Sequence, residues 1–474
     1  MPEPITSPPA DEKNLRWYQG LERYCWLVLV IAALGWLFDT MDQNLFNLVR
    51  RPSVVDLLRP HYLNDPAGLD AKAKSVAGIL TSVFLIGWSV GGFLFGIIGD
   101  RLGRAKTMIV TILIYAVFTG LSGVASNWYI YALFRFLTAL GVGGEFAAGA
   151  SLVAETFPSR SRPMALGSLQ ALSAVGNMMA AIITLIISSG MGGLDTHWRW
   201  AYFVGALPAV LVFWIAKDVR EPEAWRRAKE QASVDKELGS IGQLFDHPIL
   251  RRHTIAGVLL ATAGVGGLWG VGFFSPDMLN TELRASGMKA TQIGNYTSIM
   301  YFVQQVGAFL GCYAFAMFTE RTSRRLAFTI GYALSWVSVL AFFWAIQGAG
   351  THAFGRAMIL APIMGFCTLG PFSGFTIYFP ELFPTRLRAT GCGFCYNAAR
   401  VLAAAAPFVL GALAAKLGGY AQAATVVTFI YVLGFLGAFL GPETRGRGLP
   451  EDIDIERDRA RGFPVMTVPT TEPE

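Results

Sequence analysis

In FDTMDQNLF, residues 38–46, the carboxylates Asp39 and Asp42 stand three positions apart near the far end of a largely apolar and aromatic run, Tyr24 to Leu48. Arg135, Glu145 and Arg400 interrupt apolar runs in the same way. An ionised side chain near a bilayer centre costs at least about 2.5–3.5 kcal/mol on insertion scales, so such residues face a partner or a wet cavity and usually mark a transport path. A carboxylate there can carry a proton, and an arginine can grip a carboxylate through two parallel hydrogen bonds. None of the histidines, His61, His197, His247, His253 and His352, falls deep in an apolar run. Asp39, Asp42 and Glu145 are therefore the expected proton-coupling groups, and Arg135 and Arg400 lead the expected substrate-binding set with Gln170, Asn397 and Tyr378. Structural readings stay open beside these. Asp39 with Arg135 can be a scaffold pair, Arg400 can be neutralised by Glu145 or by helix carbonyls, and the amides can be interhelical glue.

The elements that must position these groups follow from composition. Apolar residues make up 53% of the 474-residue chain and charged ones 15%, and the mean hydropathy is +0.46. That profile predicts a polytopic membrane protein. Apolar runs of about 20 residues fall at 24–48, 75–98, 106–126, 128–156, 163–189, 199–216, 254–279, 291–318, 325–347, 354–379, 389–415 and 420–440. The expected organisation is a tail (1–23), a six-helix bundle (24–216), a central linker (217–253), a second six-helix bundle (254–440) and a second tail (441–474). No tail or linker is long enough to build a soluble core of its own.

Lys and Arg collect on cytoplasmic loops. With the N-terminus inside, about 26 of the 38 fall on that side, so both termini are predicted to be cytoplasmic. The first outer loop, with Arg50, Arg51, Arg59, Lys72 and Lys74, dissents. The opening MPEPITSPPADEKN is not read as a secretory signal. A pI near 9.0 then expresses topology and calls for no nucleic-acid partner. Cys25, Cys312, Cys367, Cys392 and Cys395 lie in or beside spans, and packing is the favoured role even for the C-x-x-C at 392–395. No H-E-x-x-H or Walker-type G-x-x-x-x-G-K-[ST] occurs, so neither enzyme, metal nor cofactor chemistry is indicated.

Internal repetition organises the chain. ETFPSRSR (155–162) and ELFPTRLR (381–388) recur at an offset of 226, and GIIGDRLGRAK (96–106) is echoed by AMFTERTSRRL (316–326) at 220. Two parallel halves are the repeat logic of a secondary transporter. At the first offset Arg400 corresponds to Ala174 and Arg135 to Ala361. Charge that the repeat does not impose is better explained by a ligand than by the scaffold. From about 1.5 Å of rise per residue, Asp39 and Arg135 reach similar heights, so Asp39 or Asp42 is expected to pair with Arg135. Arg400, near mid-membrane, is the leading substrate anchor.

GIIGDRLGR matches the loop signature G-x-x-x-D-[RK]-x-G-[RK] of the major facilitator superfamily, which the chain resembles along its whole length. RFLTALGVGGE (135–145) and the D-x-x-D at 39–42 are similar to metabolite:proton symporters for sialate, aromatic acids and other small organic anions, while PETRGRGLPED (442–452) resembles the tail motif of sugar porters. The resemblance implies an all-α fold of twelve transmembrane helices in two six-helix bundles, working by alternating access. It also implies a gate latch made of Gly96, Asp100, Arg101, Gly103, Arg104, Glu155 and Arg160, with Glu381 and Arg386 as weaker counterparts. The expected activity is proton-coupled symport of a small organic anion by a monomer in the cell membrane, the inner one in a Gram-negative bacterium. The alternative is a carrier of a neutral sugar or polyol, and a non-transporting receptor on the same scaffold is disfavoured by the intact loop signature.

Overall fold

The computed structural model describes residues 16–62, 64–190, 194–210, 215, 217–231, 238–270, 272–288, 290–403, 413, 416–417 and 419–451. Among them every regular element is helical. The chain passes through α1 (Arg23–Leu58), α2 (Pro66–Leu102), α3 (Arg104–Ser122), α4 (Trp128–Thr156), α5 (Arg162–Gly190), α6 (Leu194–Gly205) and a short α7 (Glu223–Glu230). It continues through α8 (Pro248–Gly270), α9 (Ser275–Ala285), α10 (Ala290–Arg321), α11 (Arg324–Ile346), α12 (Ala353–Leu382), α13 (Arg388–Ala403), α14 (Tyr420–Val427) and α15 (Tyr431–Leu440).

Nine helical stretches among the described residues are long and apolar enough to cross a membrane. Of the other three expected spans, 199–216 and 389–415 run into residues outside the described set. The third, 254–279, is divided into α8 and α9 by a 3-10 turn at Gly272–Phe274. Helix starts are set locally, because a short polar side chain meets backbone N–H groups that have no partner inside the helix. Asp65 accepts from the N–H of Gly68, Asn127 from that of Ile130 and Ser323 from that of Leu326.

Burial is inverted relative to a water-soluble protein. Ile186, Val337 and Phe439 point outward, while Asp42, Arg104, Arg135 and Arg388 are buried. Apolar surface on this scale marks contact with lipid. Lipid offers little hydrophobic drive for helix association, so close backbone approach through small residues takes over. A Cβ on Gly143 of α4 would sit 2.1 Å from the Trp88 carbonyl oxygen of α2, and one on Gly365 of α12 would sit 2.1 Å from that of Gln304 on α10. These two crossings occupy corresponding places in the two halves. Helices α1 to α6 pack among themselves, as do α8 to α15, and the principal contacts between the sets are α2 with α13 and α5 with α10.

Candidate functional site

A central cavity is lined from both halves by Trp36, Gln43 and Asn44 of α1, Trp88 of α2, Gln170 and Asn177 of α5, Tyr301, Gln304 and Gln305 of α10, Phe372 of α12 and Tyr396 and Arg400 of α13, among others. Arg400 is the one charged residue among them. Its guanidinium lies between two rings, 3.8 Å from the Trp88 centroid and 3.9 Å from that of Tyr396, and donates to Asn397 Oδ1 at 2.7 Å. No carboxylate among the described residues lies within ion-pair distance of it. Stacking holds the fork flat and dry while leaving its other N–H groups available to an anion. Asn397 acts one step back, since its amide donates to the Gly393 carbonyl at 2.8 Å and thereby aims its oxygen at Arg400.

The two aspartates of α1 diverge. Three residues along a helix are about 300° of rotation, enough to send their side chains to different neighbours. Asp42 accepts from the Thr119 hydroxyl at 2.8 Å and pairs with Arg135 at 3.3 Å, both side chains fully buried. Asp39 is also buried, yet neither of its carboxyl oxygens has a hydrogen-bond partner among the described residues. It directly precedes Thr40, which lines the cavity. Glu145 accepts from the Thr111 hydroxyl at 2.8 Å, and its second oxygen, without a partner among the described residues, packs where a Cβ on Gly35 would come within 2.3 Å.

Two of the expected substrate-binding residues lie elsewhere. The Arg135 guanidinium is committed to Asp42, Ser122, Thr119 and Thr138 and is stacked 4.6 Å from the Tyr202 ring, so it is enclosed inside the first half. The Tyr378 hydroxyl donates to the Pro442 carbonyl at 2.6 Å, far along α12 from the cavity-lining Phe372. Gln170 does line the cavity. Gln43 and Tyr301 were missed by sequence reasoning, although Gln43 stands one helical turn beyond Asp39 on α1, a spacing that points the two in similar directions.

A second cluster ties the halves together at the end where α3, α5, α11 and α13 begin, here called the basal end. The Asp100 carboxylate accepts from the backbone N–H groups of Ala389 (3.1 Å) and Thr390 (2.8 Å), the free donors in the first turn of α13. Arg104 pairs with Asp100 and with Glu155, each at 3.0 Å, and donates to the Thr385 carbonyl at 2.6 Å. Glu155 also receives Arg388 of the other half at 2.7 Å. These contacts join the two halves at the basal end. Gly96 permits them, since a Cβ there would lie 3.0 Å from the Ala389 carbonyl oxygen. Gly103 has φ of 118°, outside the range L side chains favour, and lets the Glu221 carboxylate accept from the N–H groups of Arg104 (2.7 Å), Ala105 (3.3 Å) and Lys106 (3.1 Å).

The repeat recurs as geometry. Arg324 pairs with Glu381 at 2.9 Å as Arg104 does with Glu155, and Glu443 accepts from the N–H of Arg324 at 3.1 Å as Glu221 does from that of Arg104. The R-E-P and P-E-T triplets at 220–222 and 442–444 are the sequence signal that would have found these two caps. The remaining latch candidates sit at the edges. Arg101 donates to the Leu238 carbonyl at 3.0 Å, Arg386 binds Gln243 and accepts at its carbonyl from Gly239 N–H at 3.0 Å, and Arg160 reaches the Gln19 carbonyl of the lead-in. Arg160 contacts the N-terminal segment, where Ser161 also donates to the Trp17 carbonyl.

Paired bundles around a polar cavity, with a charged cluster joining them at one end, define the class of a secondary membrane transporter. The family model described as Major Facilitator Superfamily matches residues 68–407, and the chain belongs to that superfamily. It is 27% identical over 412 residues to a protein of Cupriavidus pinatubonensis named "Probable 4-methylmuconolactone transporter", covering 87% of this chain and 89% of that one. It is 27% identical to the sialic acid transporter NanX of Escherichia coli, covering 85% and 90% of the two chains, and 24% identical to the niacin transporter NiaP of Acinetobacter baylyi, covering 90% and 96%. Among solved structures, the proton:xylose symporter XylE superposes with a TM-score of 0.72 at 17% identity, over 92% of this chain and 98% of that one. That last likeness speaks for the fold alone.

Proposed function

We propose that this protein is a proton-coupled symporter of a small organic anion, with Arg400 as the anchor for the substrate carboxylate. The observation that carries the reading is a guanidinium in the cavity, stacked between Trp88 and Tyr396 with no described carboxylate at ion-pair distance. A cation kept dry and unpaired is costly unless a ligand supplies the counter-charge. The names of the sialic acid, niacin and muconolactone relatives support an acid or acid-derived substrate.

In this reading twelve helices span the cell membrane, the basal end and both termini are cytoplasmic, and residues 24–216 and 254–440 rock against one another as a monomer, joined by 217–253. Asp39 is the proton carrier. Charged, it competes with the substrate for the field of Arg400; protonated, it leaves Arg400 free for the anion, so proton and anion enter together. Opening of the Asp100–Arg104–Glu155–Arg388 latch then exposes the cavity to the cytoplasm, where Asp39 discharges and the anion follows. The buried Asp42–Arg135 pair holds the first bundle rigid, and Glu145 is a second, slower proton site behind α1.

The test is proton movement into proteoliposomes, followed with an internal pH dye as monocarboxylates, aromatic acids, sugars and polyols are added outside. Lumenal acidification by an acid, abolished in both Asp39→Asn and Arg400→Gln, is the expected result. The carboxamide-rich lining favours a second reading, a carrier of a neutral sugar or polyol. A response to neutral sugars that survives Arg400→Gln would establish that reading instead.

A further inference from the structure

The cavity offers more than its cation. Trp36 and Gln170, both at least nine-tenths buried, are among its lining residues, and each carries a buried polar atom, the Trp36 indole N–H and Gln170 Oε1, that has no hydrogen-bond partner among the described residues. The Gln170 amide nitrogen is already used on the Ser173 hydroxyl at 3.3 Å, so if the amide is turned over, one of its two polar atoms still lacks a partner. Gln43 of α1, also buried, lines the same cavity. Buried polar groups are rarely left unmet, and each one left so costs the desolvation of that group. No second cation accompanies them in the lining.

We infer that Trp36, Gln43 and Gln170 form a neutral subsite that makes the transporter selective for monocarboxylates bearing hydroxyl or amide groups, against dicarboxylates and against plain alkyl acids. This rests on the reading of Arg400 as the carboxylate anchor. A second carboxylate on the substrate would enter a dry region with no counter-charge, where the desolvation cost exceeds what neutral amides return. An alkyl tail would leave the indole N–H and the Gln170 amide buried and unmet, and a site built for hydrogen bonding rejects an analogue that lacks the partner. A hydroxyl group both donates and accepts, so it supplies the partner that either group lacks.

The experiment uses the full chain in lipid nanodiscs and measures the affinities of gluconate, hexanoate and adipate, which share six carbons and differ in hydroxylation and charge. Gluconate is expected to bind at least about tenfold tighter than either of the others, since each hydrogen bond to a buried partner is worth a factor of several. In Trp36→Phe, which keeps an aromatic ring in place, and in Gln170→Leu, the gluconate to hexanoate ratio is expected to fall to within about threefold of unity. Trp36→Phe decides the matter if Gln170→Leu fails to fold. Adipate binding as tightly as gluconate, or an unchanged ratio in Trp36→Phe, would overturn the subsite while leaving the anchor standing, provided Arg400→Gln weakens all three acids. No binding of any acid, or acids bound equally by Arg400→Gln, would overturn the anchor and the subsite with it.

Discussion

Arg400 and Arg135 are the same residue type in the same kind of apolar run, and their surroundings differ sharply. Arg135 spends its hydrogen-bonding capacity on Asp42 and three hydroxyls, whereas Arg400 donates to Asn397 while stacked between two rings. Arg400→Gln is expected to weaken acid binding by roughly 30-fold or more, the factor equivalent to about 2 kcal/mol for losing a buried charged hydrogen bond. Arg400→Lys should restore little, because an ammonium neither stacks between Trp88 and Tyr396 nor presents a fork. Equilibrium binding to the purified variants checks both. Asp39→Asn should bind the acid and exchange it across the membrane yet move no protons. Counterflow uptake beside the pH-dye signal separates the two, and proton movement by this variant would remove Asp39 from the coupling path.

Helix pairs set the tolerance of the scaffold. Gly143 meets α2 backbone at 2.1 Å from where its Cβ would be, and backbone cannot yield as a flexible side chain can. Gly143→Val is expected to lower stability by about 1–3 kcal/mol through overpacking, seen as a reduced thermal midpoint in detergent. The α1–α4 contact holds the Asp42–Arg135 pair. Removing one partner leaves an uncompensated buried charge, so Arg135→Met should cost about 3–5 kcal/mol, while the double variant Asp42→Leu with Arg135→Met should recover much of that loss. A double variant as unstable as the single one would mean that the surrounding hydroxyls, not the charges, hold the site.

At the scale of the whole molecule, the basal contacts are the proposed latch. Asp100 spans the halves by accepting from two N–H groups at the start of α13, a place where the helix dipole adds to the attraction. Losing charge-assisted bonds worth about 2 kcal/mol changes a two-state ratio roughly 30-fold. Asp100→Ala is therefore expected to shift the population toward a basally open state, with longer distances between spin labels placed on the basal ends of α4 and α12, and to slow transport while acid affinity stays near that of the parent. Unchanged distances and unchanged transport would dismiss the latch.

Much of this was legible in the sequence. A bilayer forces each crossing to satisfy its own backbone, so long apolar runs announce helices, and the duplicated E-x-F-P-[ST]-R-x-R, with AMFTERTSRRL echoing GIIGDRLGRAK, announces two halves with matching charged clusters. The Glu155–Arg104 and Glu381–Arg324 pairs are that repeat made physical. What the sequence did not determine is azimuth: which way a polar side chain points once its helix is rotated against its neighbours. Asp39 and Asp42, or Arg135 and Arg400, are equivalent as letters in apolar runs. The packing of α1 against α4, and of α13 against α2, decided that Asp42 and Arg135 neutralise each other, that Tyr378 serves the basal end, and that Arg400 stands in the cavity beside Trp36 and Gln170.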